Sequence, residues 1–122
     1  MTDRTVGWLF RGAAIYGVLA TLPLYGRALP AQGAEFQLGF AGFALVYQGL
    51  LWLIATDPLR YRPVMLAGAA EKLAFGLPAL ALWARGMGSG PVAVAALIDL
   101  ALAAGFVAAW RSVGADRGNG AS

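Results

Sequence analysis

The stretch that decides the fold runs from Pro63 to Ala84 and reads PVMLAGAAEKLAFGLPALALWA. Apart from Glu71 and Lys72, its residues are apolar or small. It has the length of about 20 residues that a helix needs to cross about 30 Å of hydrocarbon. Because lipid offers no hydrogen-bond partners, a backbone buried in it must satisfy its own N–H and C=O groups. The stretch therefore predicts a transmembrane helix.

Three further apolar runs of similar length lie on either side of this one: Trp8–Tyr25, Phe36–Thr56 and Pro91–Trp110. None of them shows the two-residue alternation of barrel strands. We therefore predict an all-α integral membrane protein, a four-helix bundle that forms a single domain over residues 1–122. Residues 112–122 are polar and rich in glycine, so we expect them to form a flexible tail.

The first apolar run has a second interpretation as a cleaved signal peptide. Its start is basic, its centre from Ala13 to Leu22 is apolar, and Ala31-Gln32-Gly33 would be the cleavage site. Cleavage would leave three membrane helices instead of four.

The composition agrees with a membrane protein and excludes several chemistries. The chain is 60% hydrophobic and only 12% charged, against about 25% charged residues in ordinary soluble domains. It has no cysteine and no histidine, which excludes disulfides, thiolate metal sites and the usual haem ligands. We therefore expect no metal and no cofactor. The net charge of +3 comes from arginines scattered at the ends of apolar runs, so we expect no nucleic-acid partner.

The basic residues predict an orientation. Short connections make consecutive helices antiparallel neighbours, which gives an up-down-up-down bundle. Six arginines then fall on one side of the membrane and two on the other: Arg4, Arg11, Arg60, Arg62, Arg111 and Arg117 against Arg27 and Arg85. Because cytoplasmic loops carry the excess of basic residues, we predict that both termini are cytoplasmic.

Three charged residues lie inside the predicted helices: Glu71, Lys72 and Asp99. A charge at the centre of a bilayer costs about 3 to 10 kcal/mol or more, so such residues face the bundle interior and pair with one another. With a rise of about 1.5 Å per residue, Lys72 and Asp99 differ in depth by only about 6 Å. We predict an ion pair between them. Lys72 shares a helical stripe with Gly68 and Gly76, where small residues allow close helix contact.

Further polar residues share this depth, so each helix contributes to one polar layer. Tyr16 lies in the first predicted helix, and Tyr47 and Gln48 lie in the second. With one lysine for two acids, either Glu71 or Asp99 lacks a full partner, and we expect one of them to be protonated part of the time. The layer is either structural, with hydrogen bonds that hold the helices together, or the polar part of a functional pocket.

The second half of the chain resembles a known pattern. The segments Arg60–Met65 (RYRPVM), Glu71–Leu73 (EKL) and Ile98–Leu100 (IDL) resemble small uncharacterised bacterial inner-membrane proteins, similar in size and layout to the DoxX-like four-helix proteins. The resemblance covers roughly residues 57–111. It implies a four-helix bundle in the bacterial inner membrane, marks Glu71, Lys72 and Asp99, and implies no catalytic residue.

Three functions fit these features. The first is binding of a lipid-like or other amphiphilic small molecule, or a role as a membrane accessory subunit, because an apolar pocket with a few polar groups is the usual form of a small-molecule site. The second is proton-coupled transport of a small molecule by an oligomer. The third is acid/base chemistry on a lipid, for which no nucleophile or metal motif is present. The expected partners are the lipid bilayer, a bound amphiphile, and a second copy of the chain or another membrane protein.

Overall fold

The computed structural model describes the backbone of residues 1–120 and the side chains through residue 115. Its four long helices are α1 (Asp3–Thr21), α2 (Ala34–Thr56), α3 (Arg62–Ala84) and α4 (Gly90–Gly120), and a short 3-10 turn, Leu22–Tyr25, follows α1. Every regular element within residues 1–120 is helical. All four helices are long and apolar enough to cross a membrane. The prediction of an all-α chain with four helices that are long and apolar enough to span a membrane is therefore confirmed.

The first helix differs at both ends from the predicted run. It begins at Asp3, several residues before Trp8, because the Thr2 side chain caps it by accepting a hydrogen bond of 3.1 Å from the Thr5 amide. It changes to a 3-10 turn at Leu22, where Pro23 follows. Proline has no amide hydrogen to donate, so it favours a change of helix type at this position.

The last helix is longer than predicted. The tail expected to be flexible from residue 112 is helical through Gly120, and residues 121–122 lie outside the described part of the chain. Tertiary contacts hold the first part of this extension in place. The Arg62 Nε donates to the Trp110 carbonyl at 2.8 Å, the Ser112 hydroxyl donates to the Met1 carbonyl at 3.0 Å, and Val113 is buried.

The helices are associated in two pairs. Helix α3 packs mainly against α4 and helix α1 mainly against α2, while contacts between the pairs are sparser. The buried faces are rich in glycine and alanine. At Gly76 an added Cβ would lie 2.9 Å from the Leu100 side chain and 3.1 Å from the Ala96 carbonyl oxygen. Small residues at this interface therefore let the backbones of α3 and α4 approach closely.

The apolar core fills only one half of the bundle. Its residues come from the first half of α1, the end of α2, the start of α3 and the second half of α4. Phe10 and Phe106 stack at its centre with ring centroids 4.4 Å apart, and Leu51 and Met65 are fully buried beside them. The other half of the bundle lies between the opposite helix ends, and the two cavities described below open there.

Candidate functional site

The three charged residues of the helix interiors form one cluster. Lys72 on α3 is only 2% exposed and Asp99 on α4 only 8%. The Lys72 ammonium nitrogen lies 3.6 Å from Asp99 Oδ1 and also 3.6 Å from Glu71 Oε2. The ion pair predicted between Lys72 and Asp99 is therefore present. Glu71, which the sequence left without a full partner, approaches the same ammonium group at an equal distance.

Glu71 shares this contact because its side chain is long and flexible. Consecutive helical residues point about 100° apart around the axis, so Glu71 and Lys72 start in different directions. Their side chains nevertheless converge, and the Glu71 side chain stays 21% exposed while that of Lys72 is 3% exposed. Glu71 thus lies at the edge of the cluster, where it reaches both the bundle interior and the space between α2 and α3.

Gln48 of α2 is a further buried polar residue of the site, and it packs against Gly17 of α1. Gln48 is 3% exposed, and its Nε2 donates to the Ala44 carbonyl at 2.7 Å. A Cβ added at Gly17 of α1 would collide with the Gln48 carboxamide. The absence of a side chain at residue 17 therefore makes the room in which Gln48 is buried.

A cavity of about 360 Å³ lies between all four helices, and we call it the central cavity. Five of the six predicted site residues line it: Tyr16, Gln48, Glu71, Lys72 and Asp99. Leu24, Arg27 and Pro91 line the part nearest to the ends of α1 and the start of α4. The cavity thus has a polar floor near the middle of the helices and extends toward the end of the bundle away from the apolar core.

A second cavity of about 640 Å³ lies along α2 and α3, and we call it the lateral groove. Its lining is mostly aromatic and aliphatic and includes Phe43, Phe75, Leu82 and Trp83. The sixth predicted residue, Tyr47, lies here and not in the central cavity.

The groove also has a polar feature at its inner part. Pro78 lies inside α3 and has no amide hydrogen, so the Ala74 carbonyl loses its usual helical partner. Ala74, Pro78 and Glu71 all line the groove. Proline at residue 78 therefore takes one donor away from the helix backbone in the part of α3 that lines the groove.

Glu71 connects the two cavities, together with residues that the sequence analysis missed. Glu71, Phe40 and Phe75 line both the central cavity and the lateral groove, and the two phenyl rings lie 6.0 Å apart between their centroids. Helical spacing was the signal that could have found them. Phe40 lies eight residues before Gln48 and Phe75 lies four residues after Glu71, so each shares a helix face with a predicted site residue.

The fold and the site together define a class of all-helical proteins with four helices apolar enough to span a membrane and a buried charged cluster beside two neighbouring cavities. A scan against protein-family models, a search of curated proteins and a search of solved structures each find no match to this chain. Functional reasoning therefore rests on the geometry of the site.

The ion cluster predicts a specific pattern of stability changes. Lys72→Met would leave two carboxylates near the middle of the bundle without their cation, so we expect the free energy of unfolding in mixed micelles to fall by about 3–5 kcal/mol. Adding Glu71→Gln and Asp99→Asn to the same chain removes both unpaired charges, and we expect it to recover at least half of that loss.

The neighbouring Leu73→Met provides the matched control, because Leu73 is exposed on the same helix. It should change the free energy of unfolding by less than about 1 kcal/mol. Equal stability of Lys72→Met and Leu73→Met would show that the cluster carries no such charge balance.

Proposed function

We propose that this chain is a bacterial inner-membrane protein that binds a lipid-like amphiphile inside its helix bundle. The polar end of the ligand would lie in the central cavity, against the cluster of Glu71, Lys72 and Asp99. The apolar part would lie in the lateral groove. The observation that carries the proposal is that Glu71 lines both cavities, so a polar floor and an apolar groove meet at one side chain.

The size and chemistry of the cavities support this proposal. Small-molecule sites typically enclose about 300–1,000 Å³ and combine a mainly apolar lining with a few polar groups that orient the ligand. The central cavity and the lateral groove, at about 360 and 640 Å³, both fall in that range. Tyr16 and Gln48 complete the set of polar groups on the floor. An accessory subunit that holds a lipid for a partner protein would use the same site.

Proton-coupled transport is the second candidate, and the buried Lys72 with its two carboxylates favours it, because intramembrane ionisable groups often mark proton relays. The apolar core closes the opposite half of the bundle around Phe10 and Phe106. Transport would therefore need a second conformation that opens this core, whereas ligand binding needs none. The likeness to DoxX-like proteins is part of the proposal and rests on the sequence segments alone.

The proposed topology is antiparallel, with both termini in the cytoplasm. Two contacts support it. The start of α3 meets the far part of α4 where Arg62 binds the Trp110 carbonyl, and Met1 meets Ser112. The same region holds Arg11, whose guanidinium lies 5.6 Å from the Trp8 ring centroid and 5.9 Å from that of Trp52. Arginine and tryptophan together are typical of the cytoplasmic interface of a membrane protein.

Blocking the groove beside Glu71 tests ligand binding. We expect the wild-type protein, purified from bacterial membranes and examined by native mass spectrometry, to carry a noncovalently bound amphiphile. Ala74 lines the groove, so Ala74→Phe should fill the space next to Glu71. We expect it to weaken binding about tenfold, which corresponds to about 1.4 kcal/mol of binding free energy, and so to lower the occupied fraction.

The control is Ala70→Phe, which adds the same side chain one turn earlier on α3, at an exposed position that lines neither cavity. It should keep the wild-type occupancy. A wild-type protein without bound amphiphile, or an Ala74→Phe variant as fully occupied as the wild type, would contradict the proposed function.

The proposed topology predicts which loops are accessible from outside the cell. Because the chain has no cysteine, single cysteines can be introduced at Gln32, between α1 and α2, and at Leu59, between α2 and α3; both residues are exposed. In spheroplasts, a membrane-impermeant maleimide should label Gln32→Cys at once and Leu59→Cys only after permeabilisation. The reverse pattern, or immediate labelling of both, would contradict cytoplasmic termini.

A further inference from the structure

Two buried oxygen atoms at the site have no hydrogen-bond partner among the residues that the structure describes: Gln48 Oε1 and Glu71 Oε2. The orientation of the Gln48 amide is set by its Nε2, which donates to the Ala44 carbonyl, so its oxygen is the free atom. Glu71 Oε2 lies 3.6 Å from the Lys72 nitrogen, which is an ion-pair distance but too long for a hydrogen bond. Both residues line the central cavity. The floor therefore has spare acceptors, and buried acceptors normally have donors.

The charges at the floor also indicate which ligand group would bind there. Among the residues whose side chains the structure describes, Lys72 is the one cation at the floor, and it faces two carboxylates, Glu71 and Asp99. With both carboxylates ionised, the floor carries one net negative charge. Arg27 also lines the central cavity but belongs to its outer part, and its side chain is exposed. A charge is costly at this depth, so a positive group in the ligand would complete the balance.

Two phenyl rings lie between the lateral groove and the polar floor, where a positively charged group of the ligand would pass. Phe40 and Phe75 line both cavities, next to Glu71. The face of an aromatic ring attracts a cation through its quadrupole, and this attraction is stronger where water is excluded. The route from the lateral groove to the polar floor is thus compatible with a positively charged head and unfavourable for an anionic one.

We infer that the ligand of this site is an amphiphilic amine whose protonated nitrogen donates hydrogen bonds to Glu71 and Gln48. Its apolar chain lies in the lateral groove, and its charge balances the second carboxylate of the cluster. This inference rests on the proposed function and specifies its ligand class. It excludes anionic lipids as the preferred occupants, because a phosphate or carboxylate head would bring further acceptors and further negative charge to the floor.

Four probes with the same alkyl chain separate charge from hydrogen bonding. Dodecylamine is cationic and has N–H donors, dodecyltrimethylammonium is cationic without donors, dodecanol is a neutral donor, and dodecanoate is an anion. Binding to the full chain in maltoside micelles is measured by isothermal titration calorimetry at neutral pH, with protein-free micelles as the reference for partition and the Ala74→Phe protein as the variant with a filled groove. We expect dodecylamine to bind about tenfold more tightly than each of the other three, since charge-assisted hydrogen bonds are stronger than neutral ones.

Two variants test whether Glu71 and Gln48 cause the preference for dodecylamine. Glu71→Gln should lower dodecylamine affinity about tenfold and leave dodecanol affinity nearly unchanged, because it removes the charge but keeps an acceptor oxygen. Gln48→Leu should weaken both dodecylamine and dodecanol, because it removes an acceptor that either donor uses. The second variant keeps the test available if Glu71→Gln does not fold.

The outcomes separate this inference from the proposed function. Equal affinity for all four probes, or tighter binding of dodecanoate, overturns the amine preference but leaves amphiphile binding standing as long as Ala74→Phe weakens it about tenfold. Equal affinity for dodecylamine and dodecyltrimethylammonium, or for dodecylamine and dodecanol, overturns the assignment of a charged donor. Binding that Ala74→Phe does not affect, together with a wild-type protein purified without an amphiphile, overturns both.

Discussion

The structure depends on one interaction, a lysine ammonium group shared by two carboxylates near the middle of an apolar helix bundle. Lys72 lies 3.6 Å from both Glu71 and Asp99. An isolated charge at the centre of a bilayer costs about 3 to 10 kcal/mol or more. The buried ammonium group of Lys72 is therefore stable only with carboxylates at ion-pair distance. The close approach of α3 and α4 at Gly76 brings the acid of one helix to the base of the other. A small residue at this position of the interface is therefore compatible with the short distance that the ion pair requires.

The packed apolar core and the two cavities lie in different halves of the bundle. In one half, Phe10 stacks on Phe106 within a continuous apolar core that all four helices supply. In the other half, the central cavity lies between the four helices and the lateral groove lies along α2 and α3. The ion cluster lies at the boundary, where it closes the packed half and forms the floor of the open half. A ligand of the kind proposed would therefore contact the half of the bundle that lies outside the packed apolar core.

The sequence predicted the four membrane helices and the Lys72–Asp99 pair, because hydropathy and rise per residue determine both. It did not predict that Glu71 would contact the same ammonium group. Helical geometry gives the direction in which a side chain leaves its Cα, but it does not give the final position of the carboxylate of a long, flexible side chain. The sequence also did not predict that α4 continues as a helix beyond Ser112, and local composition does not reveal the tertiary bonds that join Arg62 to Trp110 and Met1 to Ser112 at the start of this extension. Arg27 enters the lining of the central cavity from a connection without periodicity, so no spacing rule could have placed it there.

The most direct test of the account is nitrogen-15 magnetic resonance of the Lys72 side chain in lipid bilayers. Lys72 is the only lysine of the chain, so lysine labelling gives a single Nζ signal that needs no assignment. The account predicts an ammonium-type signal with contacts to two carboxyl carbons, one of which disappears in Glu71→Gln and the other in Asp99→Asn. A neutral amine signal, or an ammonium signal without contact to either carboxyl carbon, would contradict a lysine shared by two acids and with it the charge balance on which the proposed site depends.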